Sequence, residues 1–193
     1  MFDPPHIGHR IVANEAAWQL GLDELHVVVC ARPPHRPEGW LPAEFRLQLV
    51  AVAMRDDPAI VASRAELDRP GPSFTVDTLQ ALADEDADAE LVLIIGADQL
   101  QSFGRWYRPE RIVELATLAI VARDNADRGA LVATARAVTS RSVAWVDIPE
   151  IGISSSMIRE RLRAGQPYRH LVPEPVADLL AAESLTGPTS TLP

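Results

Sequence analysis

Apolar positions Ile7, Ile11, Val12, Ala16 and Leu20 recur at helical spacing and Gly21 closes the run, so the pattern predicts a helix over 7–20. Leu25 to Ala31 is a continuous apolar run that ends before Pro33-Pro34, as a buried strand would. A helix over 42–54 follows, then two short extended pieces at Ile60-Val61 and Glu66-Leu67, then a loop at Pro70-Gly71-Pro72. Ser73 or Thr75 is placed to cap a helix reaching about Ala83. Leu91-Val92-Leu93-Ile94-Ile95 has the continuous apolar character of a parallel strand buried on both faces, and Gly96-Ala97-Asp98 stands at its carboxyl end. Further strands are predicted over 116–122 and 142–148, with 123–129 as a polar loop between elements. Ser154 opens a helix to Leu162, and Pro173 starts a last one ending near Leu185.

Strands that alternate with helices and read as buried on both faces predict an α/β fold, a Rossmann-like doubly wound parallel sheet. The 193 residues suit one domain, assigned to 1–185, with 186–193 expected as a disordered tail. In such folds a phosphate loop follows a buried strand, whereas only Met1 and Phe2 precede the first proline turn. The expectation is therefore a chain that starts one strand late.

Charge narrows the partners. A net charge of −9 argues against extended contact with nucleic acid or an anionic membrane, while leaving room for a local basic pocket and small anionic ligands. All 18 basic residues are Arg and none is Lys, which excludes a Lys nucleophile, a Schiff base and a P-loop lysine. The single cysteine, Cys30, lies within an apolar run and reads as a buried structural thiol in a reducing compartment. No signal-peptide layout and no bilayer-length apolar run is present, so a cytoplasmic location is expected.

Two clusters carry the chemistry. His6-Ile7-Gly8-His9 falls at a predicted helix start, where free backbone N–H groups, a partial positive charge and two imidazoles suit a phosphate. Two surface or capping histidines would be the plainer reading. Near the other end, Ser154-Ser155-Ser156 precedes Arg159 by about one turn, so hydroxyls, N–H groups and a guanidinium can hold one anion. Its plainer reading is an N-cap followed by a solvated face, with Arg161 the better candidate for mere solvation.

Together, Phe2-Asp3-Pro4-Pro5-His6-Ile7-Gly8-His9 and Ile153-Ser154-Ser155-Ser156-Met157-Ile158-Arg159-Glu160-Arg161 resemble the paired signature of the HxGH nucleotidyltransferases. Within that superfamily the middle of the chain is similar to the bacterial nicotinate-nucleotide adenylyltransferase family. The matching stretches are Pro33-Pro34-His35-Arg36, Pro72 to Leu79, Ile95-Gly96-Ala97-Asp98, Phe103 to Tyr107, and Leu171 to Val176. The resemblance also puts Met1 at the Thr or Ser of a Gly-Gly-Thr-Phe-Asp-Pro start, so a first strand and two glycines are expected to be missing, with a marginal or inactive chain as the consequence.

The resemblance implies adenylyl transfer from ATP to nicotinate mononucleotide, with Mg²⁺ held mainly by substrate phosphates and by no protein ligand. It implies that His6, His9, Gly96, Ser155 and Arg159 bind ATP, with His6, His9 and Arg159 catalytic. It also implies that His35, Arg36, Thr75, Val76, Asp98, Trp106 and Tyr107 meet the substrates, Trp106 by stacking on the pyridine ring. The plain alternatives are a polar turn for His35 and Arg36, a helix cap for Asp98, and core packing for Trp106 and Tyr107, as expected for Trp145. Trp18 and Trp40 carry no signal. Homo-oligomers are compatible with the sequence. A transferase with another phosphate acceptor and a nucleotide-binding module without turnover remain as alternatives; a class I aminoacyl-tRNA synthetase is set aside on length.

Overall fold

The computed structural model describes residues 2–34, 39–123 and 126–186. In chain order the elements are α1 (Ile7–Leu20), β1 (Leu25–Val28), α2 (Ala43–Met54), β2 (Ile60–Ser63), α3 (Thr75–Glu85) and β3 (Val92–Gly96). There follow α4 (Ala97–Ser102), α5 (Pro109–Leu115), β4 (Thr117–Arg123), α6 (Arg128–Val138), β5 (Ala144–Ile148), α7 (Ser155–Arg163) and α8 (Glu174–Thr186). Strand β1 pairs with β2, and a second sheet has the order β3-β4-β5. Every pairing is parallel, and each pair is joined by a helical crossover, as parallel strands require.

Alternation along β4 explains why helices cover both faces of its sheet. Leu118, Ile120 and Ala122 pack with Val76, Leu100, Phe103, Ile112 and Leu131 of α3 to α6 and their connections. Ala119 points the other way, into a core shared with Val27 and Ile60 of the β1-β2 sheet, Val146 and Ile148 of β5, and Leu49 and Val176 of α2 and α8. That core draws on both sheets, which gives the two-stranded sheet the packing partners it needs. Helix α1 contributes the buried Ala13 and Ala16, small residues that let its backbone lie close to the strands. Its Gln19 side-chain amide donates to the Asp147 carbonyl at 2.8 Å and accepts from the Asp147 N–H at 2.9 Å, satisfying the outer backbone groups of β5 at that position.

Differences from the sequence reading have local causes. Glu66-Leu67 is not extended: the Leu67 and Asp68 N–H groups both donate to the Arg64 carbonyl, and Arg64 pairs with Asp68 across the same turn. Neither Ser73 nor Thr75 caps α3, whose N-cap is Phe74, because the Ser73 hydroxyl accepts from the Ala31 and Arg32 N–H groups instead. Helices α4, α5 and α6 were not anticipated; the polar stretch expected as a loop up to 129 already holds the Asp127 N-cap and the start of α6. Cys30 is half-buried rather than fully buried, and burial raises its thiol pKa. Trp145 is likewise half-buried, with the Arg128 guanidinium 4.9 Å above its ring. Thr186, expected as the first residue of the tail at 186–193, is instead the last of α8, and 187–193 lie outside the described residues. Among those described, no helix is long and apolar enough to cross a membrane.

Candidate active site

The two terminal motifs meet on the segment that leads into α1. The Ser155 hydroxyl donates to the Pro4 carbonyl at 2.9 Å and the Arg159 guanidinium to the Asp3 carbonyl at 2.7 Å. Arg159 also donates to Ser156 Oγ at 3.0 Å. A guanidinium has five N–H donors, so these two contacts fix its plane and leave donors for an anion. Ser154 caps α7 by accepting from the Met157 N–H, leaving the Ser155 and Ser156 N–H groups without an intrahelical acceptor. With its hydroxyl proton committed to Pro4, Ser155 offers an anion its backbone N–H first.

On the facing side the His6 and His9 rings lie 3.7 Å apart, tilted by 30°, with Phe2 edge-on to His9. His9 Nδ1 accepts the His6 backbone N–H at 3.1 Å. A nitrogen that accepts cannot carry the proton, so the neutral ring bears it on Nε2, as a donor directed away from the helix end. His6 is buried, and its Nδ1 has no hydrogen-bond partner among the described residues. An unsatisfied buried polar atom costs about 1–3 kcal/mol, which a bound ligand can recover. Gly8 suits this packing, because a Cβ there would stand 3.0 Å from the His6 ring and 3.2 Å from Ile151, closer than side chains usually approach, so one of them would have to give way.

Burial lowers the His6 pKa to about 4, and burial together with the neighbouring His6 lowers that of His9 to about 3, so both rings are neutral at physiological pH. Arg159 is thus the fixed positive charge among these side chains. Below pH 6.5 the unfolded chain binds protons at these positions that the native state refuses. Native stability is expected to fall as pH drops from about 6.5 towards about 3 to 4 and to level off below, read from denaturant midpoints against pH. Replacing both histidines by Asn should flatten that slope.

A second group forms at the carboxyl side of β2 and β3. The first intrahelical bonds of α3 come from Asp77 and Thr78 to the Phe74 carbonyl, so the Thr75 and Val76 N–H groups point out of the helix as a donor pair. The Phe74 ring stacks on Tyr107 at 4.4 Å, which brings the segments of 74–76 and 106–107 together. Tyr107 is 49% exposed; Trp106 is half-buried against Phe103 with ring centres 5.2 Å apart. Arg108 follows in the left-handed region at φ 53°, a conformation uncommon outside glycine, and turns the chain into Pro109 at the start of α5. Gly96 caps α4 with its backbone, and the Asp98 carboxylate folds back to within 2.6 Å of where a Gly96 Cβ would stand, so a side chain at 96 would have to turn the Asp98 carboxylate aside. Asp98 is exposed, and its side chain does not cap the helix.

The sequence expectations therefore divide. His6, His9, Ser155 and Arg159 converge; Thr75, Val76 and Tyr107 form a second cluster with Trp106 close by; Gly96 and Asp98 sit at the end of β3; His35 and Arg36 lie outside the described residues. Among the described residues no group of three or more His, Cys, Asp or Glu gathers as a metal cage. Sequence reasoning missed Trp40, whose ring lies under the Arg163 guanidinium of α7 at 5.6 Å. It also missed Arg46, fully buried and donating to the Leu41 and Cys30 carbonyls. An arginine on the apolar face of a predicted helix was the available signal.

Comparison with known proteins identifies the family. The cytidylyltransferase-like family matches residues 1–161. A protein of Thermus thermophilus named "Probable nicotinate-nucleotide adenylyltransferase" is 42% identical over 177 residues, 91% of this chain and 89% of its own length. One of the same name from Carboxydothermus hydrogenoformans is 35% identical over 187 residues, 95% of this chain and 93% of its own. Among solved structures, the nicotinic acid mononucleotide adenylyltransferase of Plasmodium falciparum complexed with NaAD superposes with a TM-score of 0.79. It is 16% identical and covers 95% of this chain and 92% of its own, a likeness of fold.

Proposed function

The chain belongs to the cytidylyltransferase-like family and, within it, to the nicotinate-nucleotide adenylyltransferases, and on that premise we infer that it transfers the adenylyl group of ATP to nicotinate mononucleotide, releasing pyrophosphate, in the cytoplasm. The observation that carries the reading is the convergence of His6, His9, Ser155 and Arg159 on residues 3–6 from opposite ends of the sequence.

The acceptor's 5′-phosphate is an anion at neutral pH, so attack on the α-phosphorus needs no general base and no covalent intermediate. What remains is to hold two repelling anions in line and to neutralise the charge that builds between them. His9 Nε2–H donates to the oxygens of the phosphorus under attack, and neutral His6 lies beside it. Arg159 and the N–H groups opening α7 hold the β- and γ-phosphates as they leave. Mg²⁺ would supply further neutralisation when bound with the substrates; the described donors of this site are mainly N–H groups, which would hold the phosphates and leave the ion to them. Gly96 and Asp98 at the end of β3 face the nucleotide.

On the acceptor side, Trp106 offers a ring for the pyridine. The Thr75 and Val76 N–H pair at the start of α3, with Tyr107 beside it, favours a carboxylate over a neutral amide. With ATP and Mg²⁺, pyrophosphate release is expected on nicotinate mononucleotide, and about tenfold or more slower release on the nicotinamide mononucleotide, comparable to one charge-assisted hydrogen bond. Equal rates would remove the α3 N-terminus from specificity. No release from either acceptor, in protein shown by calorimetry to bind ATP, would overturn the transferase reading.

A further inference from the structure

Asp3 is 5% exposed, a carboxylate taken almost wholly out of water. Burying a charge is costly unless strong hydrogen bonds replace its hydration. Here the replacements come from one place: the Trp40 N–H donates to Oδ2 at 2.6 Å and the Leu41 N–H to Oδ1 at 3.0 Å. Two consecutive backbone donors on the two oxygens of one carboxylate fix the side chain in position and in rotation. Gly39 permits the approach, since a Cβ there would stand 3.3 Å from Asp3 Oδ2 and 2.9 Å from Arg46 Nε. Buried Arg46 holds the same turn from behind through the Leu41 carbonyl.

The backbone of Asp3 faces the other way. Its carbonyl takes the Arg159 guanidinium, and the next carbonyl, of Pro4, takes the Ser155 hydroxyl. Arg163, one turn beyond Arg159 on α7, lies over the Trp40 ring. Side chain and main chain of one residue thus join the turn at 39–41 to the phosphate helix, and His6 hangs from the same segment three residues on. If the carboxylate lets go, the peptide planes of Asp3 and Pro4 lose the anchor that sets the directions of Arg159 and Ser155.

We propose that Asp3 is a positioning residue for the triphosphate half of the site, acting through Arg159 by way of its grip on the Trp40 and Leu41 amides. The proposal rests on the adenylyltransferase reading for its kinetics, and on ATP binding alone for its decisive test. The ligand probe is ATP with Mg²⁺, its affinity measured by calorimetry for the full chain, for Asp3→Ala, for Arg159→Ala and for the double variant. Asp3→Ala is expected to weaken ATP binding about tenfold or more. The double variant should bind no more weakly than Arg159→Ala within about twofold, because the second loss acts through a group already removed.

In turnover the same Asp3→Ala protein should show its loss in kcat and in the KM for ATP, with the KM for nicotinate mononucleotide changed less than about twofold. Additive losses in the double variant, or wild-type ATP affinity in a folded Asp3→Ala protein, overturn the proposal; so does an equal rise in both KM values, the mark of a general loosening. Should Asp3→Ala fail to fold, Asp3→Asn keeps the volume and one acceptor and enters the same cycle. A wild-type chain that binds ATP without releasing pyrophosphate would count against the adenylyltransferase reading and leave the binding cycle decisive for Asp3.

Discussion

Replacing His9 by Ala is expected to lower kcat for pyrophosphate release by about 10²–10³-fold, the usual cost of removing one donor aimed at developing charge. The expectation follows from the tautomer. Because Nδ1 is occupied by the His6 backbone N–H, the ring presents Nε2–H outward without a choice of states, and burial keeps it neutral so that it donates without first losing or gaining a proton. A neutral donor binds ground-state phosphates weakly, so the KM for ATP should move far less than kcat. The substitution also removes the acceptor for the His6 N–H, a cap-like contact worth about 1 kcal/mol, which a melting curve will register separately. Stopped turnover with a tenfold or greater rise in KM would instead make His9 a ground-state binding residue. A kcat within about threefold of wild type would remove it from the chemistry.

Phe103→Ala should be the most damaging single change to the acceptor side. Phe103 is fully buried between β4 and the helices over it, and large-to-small changes at such sites cost about 3–5 kcal/mol. For a single domain that is a large part of the total stability, so denaturant midpoints should fall steeply. The effect should not stop at stability, because Trp106 rests on the Phe103 ring. In protein kept folded at low temperature, the KM for nicotinate mononucleotide should rise while the KM for ATP holds. A stability loss with both KM values unchanged would mean that Trp106 keeps its place without the support beneath it.

How much of this was legible in the sequence depends on whether the signal is local. Helix α1 announced itself by the spacing of its apolar positions and the five strands by short apolar runs, and Ser154 was readable as a cap because its partner, Met157, is three residues away. Ser73 was misread for the complementary reason: its hydroxyl serves Ala31 and Arg32, 42 and 41 residues earlier, and nothing around Ser73 tells. Helices α4 and α5 are 6 and 7 residues long, too short for periodicity to separate them from polar connections, whereas α6, at 11 residues, was within reach; Pro109 at the first turn of α5 and Asp127 at the cap of α6 were usable marks. At the site, the motifs named His6, His9, Ser155 and Arg159. What they could not name was the mortar: Asp3 holds the Trp40 and Leu41 N–H groups, the Trp40 ring meets Arg163, and Arg46 holds the Cys30 carbonyl, and such partners are fixed only by the fold.

The Gln19 amide on the rim of β5 bears on how such proteins keep to themselves. A strand border with free N–H and C=O groups is an invitation to any passing peptide, and cells crowded with nascent chains supply many. By occupying both groups of Asp147 with one side chain, α1 closes that position to strangers without spending a strand on it. The same residue makes the helix that starts at Ile7 and the strand that leads to Ser154, Ser155 and Ser156 travel together, so keeping apart from other molecules and keeping its own two halves in step are, at this rung, a single property.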